Sequence, residues 1–180
     1  MSDIQQRFES DSMGKVALPE NAYWGAQAER ASQNFGVSPL RMPVPMLNAL
    51  ALIKKSAAVA NHNLGLLEDT ITNAIQSAAD EVLDGKMNDQ FPVDVFQTGS
   101  GTSWNMNINE VIANRANESL GHGKGTRSPV HPNDHVNKGQ SSNDVIPTAI
   151  SVGTRLEADK LVESLDCFAK ILSVKAAEFA

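Results

Sequence analysis

The sequence predicts a mainly α protein, on three observations. Four stretches carry apolar residues at helical spacing: Pro45 to Leu64, Glu68 to Leu83, Thr102 to about Leu120, and Asn143 onward. Gly and Pro fall at the edges of these stretches, at Ser38-Pro39, Leu64-Gly65, Gly85 and Gly121-His122-Gly123. Strand patterning is nearly absent: residues 1–20 read as irregular, with Gly14 to Pro19 at most a short strand.

Each element has its own grammar. Glu20 to Phe35 holds a short helix ended by Gly36. Pro45 opens the next, whose face is Leu47, Leu50, Ala51, Lys54, Ala58 and Asn61. In the third, Ile71, Ala74, Ile75, Ala78 and Val82 share a face, and Glu68 and Asp69 suit the positive end of its dipole. Phe91 to Phe96 is apolar but short, and leads into a loop.

The fourth helix has an apolar stripe of Trp104, Ile108, Val111 and Ile112, with Asn105, Asn109 and Ala113 on a neighbouring face. Asparagine is a mediocre helix former, so Asn105, Asn107, Asn109 and Asn114 carry a propensity cost. A polar network holding their amides explains them; a solvated face is the alternative. The last helix carries Val145, Ala149, Val152, Leu156, Leu161, Leu165, Phe168 and Leu172 at helical spacing, with Pro147 in its first turn. At about 1.5 Å per residue it approaches roughly 50 Å, longer than a small domain is wide. It has no stop signal before Ala180, so the chain is expected to be a piece of a longer protein whose other helices cover this stripe.

Composition restricts the function classes. The chain has 180 residues, enough for one domain with a sizeable core, and is 41% apolar and 20% charged, ordinary for a soluble globular protein. A net charge of −6 with no basic run argues against nucleic-acid binding. Cys167 stands alone and forms no internal disulfide, which suits a reducing compartment. Met1 to Arg7 is polar, without secretory or transit character, and no apolar run spans a membrane. A cytoplasmic location is the expectation.

Two loops carry the chemistry. Gln97-Thr98-Gly99-Ser100-Gly101-Thr102 and Gln140-Ser141-Ser142-Asn143-Asp144 each run straight into a helix. A helix N-terminus presents unpaired N–H groups and partial positive charge, so it seats anions. Small hydroxyl residues add donors without blocking approach. Two such seats suit a ligand with two anionic ends; the simpler reading makes Thr102 and Asn143 plain N-caps. Between the seats, His131-Pro132-Asn133-Asp134-His135 reads as a metal site, as a turn held by Asx hydrogen bonds, or as a further anion contact. Pro132 and Asn133 break the helical spacing a two-histidine metal site wants. Gly99-Ser100-Gly101 lacks the lysine of a phosphate-binding loop and the third glycine of a dinucleotide fingerprint, and no Ser-His-Asp or Cys-His set assembles.

These motifs resemble class II fumarase, of the fumarase/aspartase superfamily. The likeness rests on Tyr23-Trp24-Gly25-Ala26-Gln27, on Thr98 to Thr102 with Asn105-Met106-Asn107 and Asn109 to Arg115, on His131-Pro132-Asn133-Asp134, and on Gln140 to Asp144 with Pro147-Thr148-Ala149. It runs from about Gly14 to Ala180. The related aspartate ammonia-lyase usually has Ala and Gly in place of Thr98-Gly99-Ser100 and Thr in place of Ser142, and argininosuccinate and adenylosuccinate lyases resemble these stretches less. Ser103-Trp104, Gly139 and Ser128 depart from residues common in the family, the last beside Arg127.

The resemblance implies reversible hydration of fumarate to malate, without metal or organic cofactor, by a homotetramer built on a central bundle of long helices. It implies substrate binding by Ser100, Gly101 and Thr102 from the first seat and by Ser141, Ser142 and Asn143 from the second. It implies a secondary anion site at His131, Pro132, Asn133 and Asp134, with Asn107 supporting the first seat. Residues 1–139 correspond to an N-terminal lyase domain and 140–180 to the start of the bundle. The family's catalytic base, on a Gly-Ser-Ser loop, its acid–base His and the Glu paired with it match nothing before Ala180. The expectation is therefore no catalytic residue in this segment and no activity from it alone. A non-catalytic dicarboxylate-binding or assembly module is the alternative from another class.

Overall fold

The structure, a computed structural model, describes residues 5–180. A hairpin of β1 (Gln6–Asp11) and β2 (Gly14–Pro19) is followed by helices α1 (Ala26–Asn34), α2 (Val44–Asn63), α3 (Asp69–Leu83), α4 (Thr102–Ser119) and α5 (Ser142–Glu178). Single turns of tighter or wider helix occupy Asn88–Gln90, Gly99–Gly101 and Pro132–Val136.

The hairpin corrects the expectation of irregular backbone before residue 20; the part of that reading on Met1 to Ile4 lies outside the described residues. Its strands pair antiparallel from Gln6↔Pro19 to Asp11↔Gly14. The turn closes because Asp11 Oδ1 accepts the Met13 N–H at 2.8 Å. Val16 and Leu18 are buried, whereas β1 contributes no apolar alternation to read. Its anchor is polar: Arg7 donates to the carbonyls of Pro19, Ala22 and Trp24 at 3.0, 2.6 and 2.8 Å and pairs with Glu9.

The helices follow their periodicity. α2 buries the six residues read from its pattern together with Met46 and Ala49, and α3 buries Ala74, Ile75, Ala78 and Val82 against it. α4 runs through the middle, with Ile108, Val111, Ile112, Ala113 and Ala116 fully buried. α5 lies on α2 at its start, where Gly153 permits close approach: a Cβ there would sit 3.1 Å from the Pro45 carbonyl oxygen. Beyond Gly153 every residue of α5 is exposed, including Leu161, Leu165, Phe168 and Leu172. No helix among the described residues is long and apolar enough to cross a membrane.

The asparagines of α4 are buried, and several serve as cross-links. Asn107 donates to the Gln90 carbonyl at 3.1 Å, and Asn114 bridges the Tyr23 carbonyl and the Gly125 N–H at 2.8 and 2.7 Å. Asn117 exchanges both hydrogen bonds with the Val130 backbone, at 2.8 and 2.7 Å. A buried amide with two backbone partners fixes a loop in one register. The tether at Val130 places the turn that begins at His131.

Candidate functional site

The two loops read as seats come together. The N-cap of α4 is Gly101, a left-handed residue with φ 66° that brings no side-chain cap of its own. Ser100 before it is also left-handed, at φ 66° and ψ 12°, a conformation that costs a non-glycine residue about 1–2 kcal/mol. Gly101 itself has a second constraint: a Cβ would meet the Ile146 side chain at 3.0 Å. The first turns of α4 and α5 are thus in contact, and Thr102 Oγ1 lies 3.2 Å from Ser142 Oγ.

The plain-cap reading needs correction at both loops. Gly101 and Ser141, not Thr102 and Asn143, hold the N-cap positions. Ser141 Oγ accepts the Asn143 N–H at 3.2 Å, so that hydroxyl closes its own helix. Gln97 Oε1 accepts the Trp104 N–H at 2.9 Å, and Ser103 Oγ donates to Thr98 Oγ1 at 3.1 Å. Ser100, Ser141 and Asn143 are exposed, and Gly101, Thr102 and Ser142 half-buried. Two helix starts side by side concentrate partial positive charge where these hydroxyls meet.

Three hollows lie near this junction. The first seat borders one of about 370 Å³, reached by Ser100, Gly101, Met46 and Ile146. Thr98 and Thr102 border a polar cleft of about 390 Å³ with Gln27, Arg30 and Asn34. The largest, about 560 Å³, runs along Pro43, Trp104, Ala149, Gly153 and Leu161. Its walls are mostly apolar and include the Glu157 carboxylate, so size does not make it the anion site.

His131 to Asp134 forms a separate feature. Nδ1 of His131 accepts the N–H groups of Asn133 and Asp134 at 3.2 and 3.1 Å. The Asp134 carboxylate lies 3.2 Å from the same Nδ1. Nδ1 of His135 accepts the His131 N–H at 2.8 Å, and burial lowers the pKa of His135. Pro132 is buried, and Asn133 and Asp134 are exposed. Among the described residues no hydrogen bond joins His131–Asp134 to either seat, and no three His, Cys, Asp or Glu side chains converge as a metal site.

Two buried charges have partners that the sequence reading did not assign. Lys54, fully buried on α2, donates to Asn105 Oδ1, Asn137 Oδ1 and Gln140 Oε1 at 2.8, 2.9 and 2.9 Å. Burial pushes its ammonium down to about 7, while three oxygen acceptors work against that by favouring the form with three N–H donors. Glu110, on α4, accepts the N–H groups of Gly25, Gln27 and Ala28, each at 3.0 Å, and so caps α1 from another helix. Burial pushes its carboxyl up to about 7; the three N–H groups pull it back and neighbouring Glu9 raises it further. The signal for both was a charge on an otherwise apolar helical face.

Known proteins share these elements. Residues 14–180 match a family described as Lyase. A class II fumarate hydratase of Nitrosomonas europaea is 53% identical over 98% of this chain and 38% of its own length. The structure of a fumarate lyase:delta crystallin from Brucella melitensis bound to cobalt aligns with a TM-score of 0.87 at 46% identity, covering 90% of this chain and 36% of that one. The recombinant class II fumarase from Schistosoma mansoni aligns at 0.80 and 44%, covering 83% and 32%. The chain spans about a third of the length of the relatives it matches. It belongs to the lyase family, within the class II fumarases of the fumarase/aspartase superfamily.

Proposed function

We propose that this chain is the N-terminal part of a fumarate hydratase that interconverts fumarate and malate. The observation that carries the reading is the 3.2 Å contact of Thr102 Oγ1 and Ser142 Oγ, which sets two hydroxyl-rich helix starts against each other. Ser100, Gly101 and Thr102 would hold substrate from one side, and Ser141, Ser142 and Asn143 from the other. His131, Pro132, Asn133 and Asp134 form a secondary anion site.

The chemistry explains why neutral donors suit the seats. Malate loses a proton from the carbon beside a carboxylate, the electron pair spreads onto that carboxylate as an aci-carboxylate, and hydroxide then leaves from the adjacent carbon. Donors already aimed at those oxygens stabilise the charge as it develops. No metal or organic cofactor enters this reading. Residues 1–139 act as the N-terminal domain and 140–180 as the first strut of a helical bundle shared in a homotetramer, which accounts for the exposed stripe on α5. The protein works in the cytoplasm, in the tricarboxylic acid cycle, and the base that removes the proton lies outside these residues.

The test is an assay of the complete protein on fumarate with water and on fumarate with ammonia, with residues 1–180 as control. Malate from the complete protein and no turnover by the segment supports the reading. Aspartate moves the assignment to an ammonia-lyase, turnover by the segment overturns the missing base, and dicarboxylate binding without any turnover favours a binding module.

A further inference from the structure

Lys54 is an unusual residue to bury. Among the described residues its ammonium has no carboxylate partner: its three acceptors are the neutral amide oxygens of Asn105, Asn137 and Gln140. An ammonium has three donors, and here each has an acceptor, so the position is saturated and directional. The acceptors belong to separate parts of the chain. Asn105 sits one turn into α4, behind Thr102, and Gln140 is the residue ahead of Ser141 at the start of α5.

The surrounding bonds make this a knot. Asn105 Nδ2 donates to Asn137 Oδ1 at 3.2 Å, Asn137 Nδ2 to the Gln140 carbonyl at 3.1 Å, and Gln140 Nε2 to the Val136 carbonyl at 2.9 Å. Asn61, two turns along α2 from Lys54, donates to the Lys138 carbonyl at 3.0 Å. The segment between Val136 and the second seat is thus held from α2, and the first seat's helix is held from the same atom, Lys54 Nζ.

We propose that Lys54 is a positioning residue that sets the separation of the two seats, by tying α4 to the segment that delivers α5. This rests on the reading that both seats hold one dicarboxylate. Lys54 itself touches no ligand. Its effect falls on ligands that span both seats and spares those that occupy one.

That difference supplies the test. In the complete protein, succinate and propionate are measured as competitive inhibitors against fumarate, one with two carboxylates and one with a single one. Lys54→Met keeps an unbranched apolar stem as far as Cε and removes the ammonium. The succinate inhibition constant rises by about tenfold or more, as expected when two binding groups lose their register, while that of propionate stays within about twofold. A merely structural role shifts both equally or neither, and either result overturns the proposal.

Should Lys54→Met fail to fold, Gln140→Met removes one acceptor at a half-buried position. It is expected to give the same selective loss at smaller size; parallel weakening of both inhibitors again overturns the proposal. If succinate does not inhibit the unmodified protein, the functional reading itself fails, and the role of Lys54 falls with it.

Discussion

Thr102 Oγ1 and Ser142 Oγ, forty positions apart in the sequence, lie 3.2 Å from each other where α4 and α5 begin. Each hydroxyl stands in the first turn of its helix, so a dicarboxylate placed across the junction meets one set of backbone and side-chain donors at each helix start. Removing either hydroxyl tests the pair. Thr102→Val in the complete protein is expected to lower kcat for hydration by roughly a hundredfold, the usual effect of losing one transition-state donor. With Ser142→Ala the two losses are non-additive by about 0.5 kcal/mol or more in a double-mutant cycle, because the groups share a ligand. Additive losses would separate them.

Ser100 gives a prediction of opposite sign for stability and function. It adopts the left-handed conformation at φ 66°. Glycine relieves about 1–2 kcal/mol there and costs about 0.5–1 kcal/mol in backbone entropy, so Ser100→Gly should stabilise by up to about 1.5 kcal/mol. The same change removes a hydroxyl from the first seat and should raise KM for fumarate. Thermal unfolding and steady-state kinetics read the two effects separately; a destabilised variant contradicts the strain argument.

Glu110 is the most consequential buried carboxylate. Glu110→Ala leaves the N–H groups of Gly25, Gln27 and Ala28 without their acceptor, at a cost of about 3–5 kcal/mol in denaturant unfolding. Gly25→Ala attacks the same contact, since its Cβ would sit 2.7 Å from Glu110 Oε1.

The pH dependence follows from the direction of the shift. The Glu110 carboxyl titrates at about 7 when folded, above its ordinary 4.5, so the folded state binds more protons between those values. Its contribution is complete below about 4.5 and is lost as pH rises through about 7. Relative to Glu110→Gln, the native protein should lose stability from pH 5 to pH 8. A difference that grows with pH would mean that the three N–H donors outweigh burial.

The stripe on α5 yields a prediction about the isolated segment. Leu161, Leu165, Phe168 and Leu172 are each more than half exposed, at 58, 54, 56 and 52%, a pattern suited to helix pairing. Residues 1–180 should self-associate in sedimentation, and Leu165→Glu with Phe168→Glu should abolish this. A segment monomeric at all concentrations contradicts it.

What the sequence made legible was local. The buried face of α2, the apolar side of α3 and the asparagine cross-links of α4 follow from a period of 3.6 and from the cost of asparagine in a helix. Both loops were readable because glycine, serine and asparagine cluster ahead of helical patterns. What stayed hidden was non-local. β1 is held by the Arg7 guanidinium and backbone pairing, neither of which leaves an alternating pattern. Lys54 was legible as part of the α2 face, but its partners and those of Glu110 were not, because they lie 51 to 86 and 82 to 85 positions away. Spacing along one helix cannot reveal a cap supplied from another.

The central claim is that the two helix starts form one dicarboxylate site, and the most direct test is a crystal structure of the complete protein with succinate bound. The account predicts one succinate in hydrogen-bond contact with both seats, touching Thr102 on one side and Ser142 or Asn143 on the other. A succinate that meets only one seat, or that lies away from both, would contradict it.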